Sequence, residues 1–414
     1  MTINLKNQQK QCEFKPRRLK LPRMGSWLLP LLLINLLSPA HADTSNDMLA
    51  PQTSTADALT GPLHTVTVAT ASLAESLLFY RDGLGLSVTG PVSVDAQTRA
   101  RQRTLWGMPN DIGWDLYLLR RPDAPGAASI RLLVLDTPTP AIHSSWSALQ
   151  RGPFSMGFPN EDQEALDAKM RRLGFGSLNV IEKYTVPRRD GTVYPIHETI
   201  FNGPDFVHAV GIYRGDGMAQ LGPVDAATGL GGPAYSAQVV DDSDAMLAFL
   251  TEVLGMELRS DRTWKSAGTE GALNVPDGTI FRFSIVYAMG ATSGHLLFVD
   301  YENVASLSNG VAPRLPNRGI GMWTFPVTDL DEVLRRATDR GIKIEGAPVS
   351  VDMPAFGKAK VATVLAPNGF MIELFEAQPG SGCYSGCVLC FQSWSPRRRM
   401  TMADLVYRVG ARWW

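Results

Sequence analysis

The 414 residues are 44% hydrophobic and 19% charged, and 39 basic against 40 acidic side chains leave a formal charge of −1. That balance removes any electrostatic drive toward nucleic acid. The length exceeds what one ordinary core organises, so two to three domains are expected.

The chain opens with RRLKLPR (17–23), the apolar run WLLPLLLINLL (27–37) and SPAHAD, with small residues at Ala40 and Ala42. This is the three-part pattern of a cleaved export signal. The run is shorter than the roughly 20 apolar residues of a membrane span and carries Pro30 and Asn35. Residues 1–42 therefore read as a signal peptide and not as a stable membrane anchor. Arg17 and Arg18 match a twin-arginine signal only in part. The mature protein is expected outside the cytoplasm, secreted or periplasmic, beginning near Asp43 with a polar, unstructured lead-in over 43–60.

From His64 the polarity alternates, so a strand is expected with His64, Val66 and Val68 on one face. SLAESLLFYRDGLGL (72–86) follows with helical spacing and stops at Gly83 and Gly85. Further strands are expected at DIGWDLYLLRR (111–121) and SIRLLVLDTP (129–138). The unit then recurs. PAYSAQVVDDSDAMLAFLTEVLGMEL (233–258) copies the opening, and HLLFVD (295–300) aligns with RLLVLD (131–136). FSMGFPNEDQEALDAKMRRLGF (154–175) and IGMWTFPVTDLDEVLRRATDRGI (320–342) are two shorter copies, closed by FNGPDFVHAVGIY and LAPNGFMIELFE.

HTVTV…FYRDGLGL (64–86) and APNGFMIELFE (366–376) resemble the vicinal oxygen chelate superfamily of glyoxalase I, extradiol dioxygenases and fosfomycin- and bleomycin-resistance proteins. The resemblance covers roughly 61–377. It implies an α+β fold of four βαβββ modules paired into two glyoxalase-like cups: modules one and two in a first domain (61–220), modules three and four in a second (231–377), divided at the Gly- and Pro-rich loop 221–233. In that family a divalent metal is held by inward side chains on the first and last strands of both modules of a cup. His64 fills a first-strand position and Glu373 a last-strand position, in different cups under this pairing.

Registering the copies leaves Phe154, Ala234 and Gly321 at the other first-strand positions, none of them a ligand. It gives Arg131, His208 and His295 at the last-strand positions. The metal candidates are thus His64, His208, His295 and Glu373, as His64 with His208 and His295 with Glu373, each one ligand short of an iron, zinc, manganese or nickel site. His197 and Glu198 would complete the first set if their strand bends. Otherwise each histidine is a polar group satisfied by neighbouring backbone. Arg131 could clamp an anionic group on a substrate, and Trp106, Trp114, Tyr117 and Trp323 would give a cup an aromatic lining.

Beyond Ala377 the module pattern ends. Cys383, Cys387 and Cys390 match the C-x3-C-x2-C spacing of radical enzymes, but only 24 residues follow, too few for the surrounding barrel. The stretch 378–414 reads as an atypical, disordered extension. Two functions stay open: a metal-dependent lyase or dioxygenase acting on vicinal oxygens, and a metal-free protein that binds or sequesters a small molecule.

Overall fold

The structure, a computed structural model, describes residues 58–188, 191–266, 268 and 271–378. The segment expected to direct export and the cysteine-bearing tail lie outside these residues. Module one contains β1 (Thr65–Thr70), α1 (Leu73–Leu77), β2 (Ser87–Thr89), α2 (Ala96–Leu105), β3 (Trp114–Arg120) and β4 (Ser129–Leu135). Module two contains β5 (Gly152–Pro159), α3 (Gln163–Arg172), β6 (Glu182–Pro187), β7 (Val193–Asn202) and β8 (His208–Arg214). After a two-stranded ribbon, β9 (Val224–Asp225) and β10 (Leu230–Gly231), module three brings β11 (Tyr235–Val240), α4 (Ser243–Ala248), β12 (Glu257–Lys265), β13 (Ile280–Tyr287) and β14 (His295–Tyr301). Module four closes with β15 (Gly319–Pro326), α5 (Leu330–Asp339), β16 (Ile344–Met353), β17 (Gly357–Leu365) and β18 (Met371–Ala377).

The repeat is written in local chemistry. The helix that follows each module's first strand is capped by a side-chain oxygen accepting from the backbone N–H three residues on: Ser72, Asp162, Asp242 and Asp329. In modules one and three the helix loosens into a π-helical turn, and a glycine at positive φ follows, Gly85 at 73° and Gly255 at 67°. Only glycine adopts that backbone cheaply.

The pairing of modules differs from the sequence expectation. One sheet runs β16-β17-β18-β15-β1-β4-β3-β2 and the other β12-β13-β14-β11-β5-β8-β7-β6. Module one therefore shares a sheet with module four, and module two with module three. At each centre two first strands meet antiparallel, β1 with β15 and β5 with β11. The register slips there at equivalent places, leaving Gly321 and Phe154 as the extra residues of β-bulges. The connections 136–151 and 302–318 run side by side, joined by bridges Ala141–Arg318 and Gln150–Leu307, so the inner modules pair within the outer pair. Four near-identical units carry no signal in their patterning that chooses among partners. The connections make the choice.

A large core joins residues of both sheets and their helices, including Val66, Tyr80, Met156, Leu250, Phe298, Trp323 and Val333. Trp323 donates from Nε1 to Ser236 Oγ of the other sheet at 2.9 Å. Smaller clusters fill the opposite sheet faces, the cup interiors. Because each half of the chain supplies half of each sheet, residues 58–226 and 227–378 expressed separately should each lack cooperative unfolding by circular dichroism. Mixing them should restore it, and a cooperative transition in either half alone contradicts this pairing.

Candidate functional site

Counting back from the helix caps aligns the four modules without reference to side-chain type. Eight residues before the caps stand His64, Phe154, Ala234 and Gly321. Five before them stand Thr67, Gly157, Ala237 and Thr324, whose partners on the last strands are Arg131, Val210, Leu297 and Glu373. His208 and His295 lie two residues earlier, level with Ser129 and Met371. Aligning HLLFVD with RLLVLD is thus displaced by two. An alternating strand matches itself after such a slip, because the side-chain period is two.

The cup that modules one and four share, here the first cup, therefore brings Glu373 to His64 and Arg131, from which the sequence expectation had separated it. Glu373 is fully buried and accepts three hydrogen bonds, from Trp106 Nε1 at 2.7 Å to Oε1, and from Arg131 Nη2 at 2.8 Å and Thr324 Oγ1 at 2.9 Å to Oε2. The Arg131 guanidinium lies 5.1 Å from the Trp106 ring centroid. Trp106 caps the C-terminus of α2, the helix packed against β16 and β17, and is itself fully buried. His64 precedes β1 and does not follow its alternation. Val66 and Val68 face the shared core, whereas the His64 ring lies against Phe375, 5.2 Å away, on the cup side. His64 Nδ1 meets Thr65 Oγ1 at 2.8 Å. Burial holds its pKa down at about 3, and Arg120 and Arg131 reinforce this.

These residues do not suit a divalent cation. The carboxylate already accepts from three donors, two of them on Oε2, the position across from it is a guanidinium, and His64 faces two arginines. No group of three or more His, Cys, Asp or Glu side chains placed to hold a metal occurs among the described residues.

Of the expected aromatic lining, Trp106 and Trp114 belong to the first cup's cluster, with ring centroids 5.8 Å apart. Tyr117 and Trp323 do not. Their strand parity turns them into the core between the sheets. A surface groove at Trp114 is lined by Arg99 and Arg103, whose Nη1 groups donate to the carbonyls of Trp114 and Ile112, and by Asp115 and Asp136. It lies apart from the polar centre at Glu373.

The second cup has Phe154, Val210, Ala234 and Leu297 at its four equivalent positions, so no ligand stands at any of them. His208 fits the structural alternative: its ring nitrogens meet the carbonyls of Phe201 at 3.3 Å and Trp146 at 3.1 Å. His197 and Glu198 diverge, as neighbours on a strand must. His197 contacts Glu164 at 3.2 Å, and Glu198 accepts from Tyr184 Oη at 3.1 Å. Burial and the neighbouring Glu182 push the Glu198 carboxyl up to about 7.

His295 stacks on Tyr287 with centroids 4.5 Å apart and lies 5.0 Å from Tyr235. Arg259 covers the Tyr287 ring at 4.0 Å. Burial, then Arg214 and Arg259, hold His295 down at about 3. Tyr235 lies across Gly157, where a Cβ would fall 1.9 Å from the ring. The sequence reading missed Arg214, Arg259, Tyr235 and Tyr287. The signal available was ELR (257–259), an alternation that sets two charges on the face opposite Leu258.

The sequence profile described as Glyoxalase/Bleomycin resistance protein/Dioxygenase superfamily matches residues 232–374. Residues 232–374 belong to this superfamily. No curated protein sequence matches the chain. Among solved structures, glyoxalase I from Zea mays is 14% identical over 76% of this chain and 92% of that one, with a TM-score of 0.50. Two others match about one cup's worth of chain. A glyoxalase family protein from Bacillus cereus is 16% identical over 34% of this chain and 89% of its own (TM-score 0.29). The trypanothione-dependent glyoxalase I of Leishmania major is 21% identical over 34% and 84% (TM-score 0.23). The maize likeness shows that the superfamily fold extends over both sheets.

Two predictions follow from this electrostatic arrangement. Trp106→Phe leaves Glu373 Oε1 short of a donor and should cost about 1–3 kcal/mol, read by urea unfolding. A loss below the error of that measurement contradicts the bond. The second concerns acid. His64, His143, His208 and His295 have folded pKa values of about 3 to 4 against 6.5 when unfolded, so their stabilisation is lost as pH falls from 6.5. Glu198, raised to about 7, acts in the opposite sense, its stabilisation being present at low pH and lost as pH rises through 7. Between pH 6 and 5 the slope of unfolding free energy should approach a net uptake of about three protons on unfolding. A slope near zero contradicts buried neutral rings.

Proposed function

We propose that this is an exported small-molecule-binding protein of the vicinal oxygen chelate fold, in which the first cup is a closed structural element and the second is the ligand chamber. The observation that carries the reading is that Glu373 is engaged by three protein donors, one of them the Arg131 guanidinium. Its hydrogen bonds to Arg131, Trp106 and Thr324 supply what a cation would otherwise supply to that carboxylate. A metal-dependent lyase or dioxygenase would need an iron, zinc, manganese or nickel ligand set that neither cup's equivalent positions contain in full.

The linings support the division of roles. In the first cup Leu105, Trp106, Met322, Val361 and Met371 are essentially inaccessible. Beside them only Val92, Val349 and Phe356 are partly buried, whereas in the second cup Leu178, Leu273, Phe281, Phe283 and Leu297 are partly open over a buried floor of Phe154, Ala237 and Val239, the apolar and partly open surface that small-molecule sites present. No helix among the described residues is long and apolar enough to cross a membrane. The signal-like segment 1–42 supports export, and the near-zero charge gives no reason to expect nucleic acid as a partner.

Elemental analysis of protein purified without chelators should find no stoichiometric metal, and zinc, nickel, manganese or ferrous ions should leave the thermal midpoint unchanged. One metal per chain, lost in Glu373→Ala, would overturn the reading and restore the metal enzyme.

A further inference from the structure

Resting on the assignment of the second cup as the chamber, we infer that it takes a small apolar or aromatic molecule through an oxyanion, carboxylate or phosphate, received by Arg259. Arg259 is 3% exposed, and its acidic partner among the described residues is Glu257, which accepts from Nε at 3.2 Å. Nη1 and Nη2 are both buried and find no hydrogen-bond acceptor among the described residues. Stacking on Tyr287 covers the flat face of the guanidinium. Its N–H groups lie in the plane, so the fork that recognises two oxygens together remains available.

The neighbours have the same preference. His295, in the contact chain Arg259, Tyr287, His295, Tyr235, has an Nδ1 that is buried and without a hydrogen-bond partner among the described residues, and as one tautomer it donates there. Arg214, also buried, spends Nη1 on the carbonyl of Ala219 at 3.2 Å and Nη2 on Tyr194 Oη at 2.9 Å, so its charge has no carboxylate bonded to it. Among the described residues, Glu257 is the only acid paired with either guanidinium. Buried charge is tolerated when matched and hydrogen-bonded. Two arginines against the Glu257 carboxylate leave the Arg259 end of the chamber with bare donors, while the Glu198 carboxyl acts on Tyr235 at the other end of the contact chain. In the first cup Arg131 meets its own carboxylate through Nη2 and leaves only Nη1 without a partner among the described residues, whereas Arg259 leaves both terminal nitrogens bare. Beside the second cup's donors lie the Tyr287 and Tyr235 rings and the partly open Leu297, Phe281 and Phe283, which suit an apolar or aromatic body.

The test uses the full chain, with benzoate, phenyl phosphate and the neutral benzamide as probes in isothermal titration calorimetry. Benzoate or phenyl phosphate should bind at least tenfold more tightly than benzamide, and the better of the two identifies the oxyanion. Arg259→Gln should lower that affinity at least tenfold with an unchanged circular dichroism spectrum. If that variant does not fold, Arg259→Lys keeps the charge, lacks the planar fork, and should still weaken binding severalfold. Benzamide binding as well as the anions, unaffected by Arg259→Gln, overturns the oxyanion inference and leaves the chamber standing. Failure of all three probes overturns both.

Discussion

At the centre of the first cup a guanidinium and a carboxylate, both removed from water, meet at 2.8 Å. Desolvating two such ions costs several kcal/mol each, and only close geometry with further hydrogen bonds offsets it. Trp106 and Thr324 complete the carboxylate. Trp106 in turn can reach it only because α2 packs against β16 and β17. The pair thus ties together module one, which supplies Arg131 and Trp106, and module four, which supplies Thr324 and Glu373. It also fills the place where the fold's inward side chains converge.

The two cups are built from one pattern and diverge at a few positions. Where the first has Arg131 and Glu373, the second has Leu297 and Val210. Its polar groups sit elsewhere, on the edge strand β12 at Arg259 and at the ends of β8 and β14. A charge placed at a cup's centre and paired internally stabilises. A charge near its rim, stacked on an aromatic ring and short of acceptors, is more costly to fold but ready to bind. This division is a familiar outcome when binding competes with stability.

Much of the fold could be read from residue patterning. The repeated cap, helix and glycine stop are local chemistry, visible in FYRDGLGL and FLTEVLGM, and they placed all four modules. Partner choice was not visible, because it depends on how connections 136–151 and 302–318 run beside each other, a contact distant in sequence. The same limit separated His64 from Glu373. Parity failed in two ways: His64 lies one residue outside its strand and turns to the cup, and Tyr117 and Trp323, aromatic on strands, face the inter-sheet core. The two-residue slip at His208 and His295 arises because apolar alternation cannot distinguish registers of equal parity. Arg259 went unnoticed since an arginine on an alternating edge strand looks like any solvated charge until Tyr287 and His295 surround it.

The most direct test of the central claim is a double-mutant cycle on Arg131→Met and Glu373→Gln, read as unfolding free energy in urea. Each single change strands a buried polar partner and should destabilise by about 3–5 kcal/mol, and the double mutant should lose well under the sum, by at least about 2 kcal/mol. Additive losses would mean that the two groups do not depend on each other, and the account of the closed cup would fail.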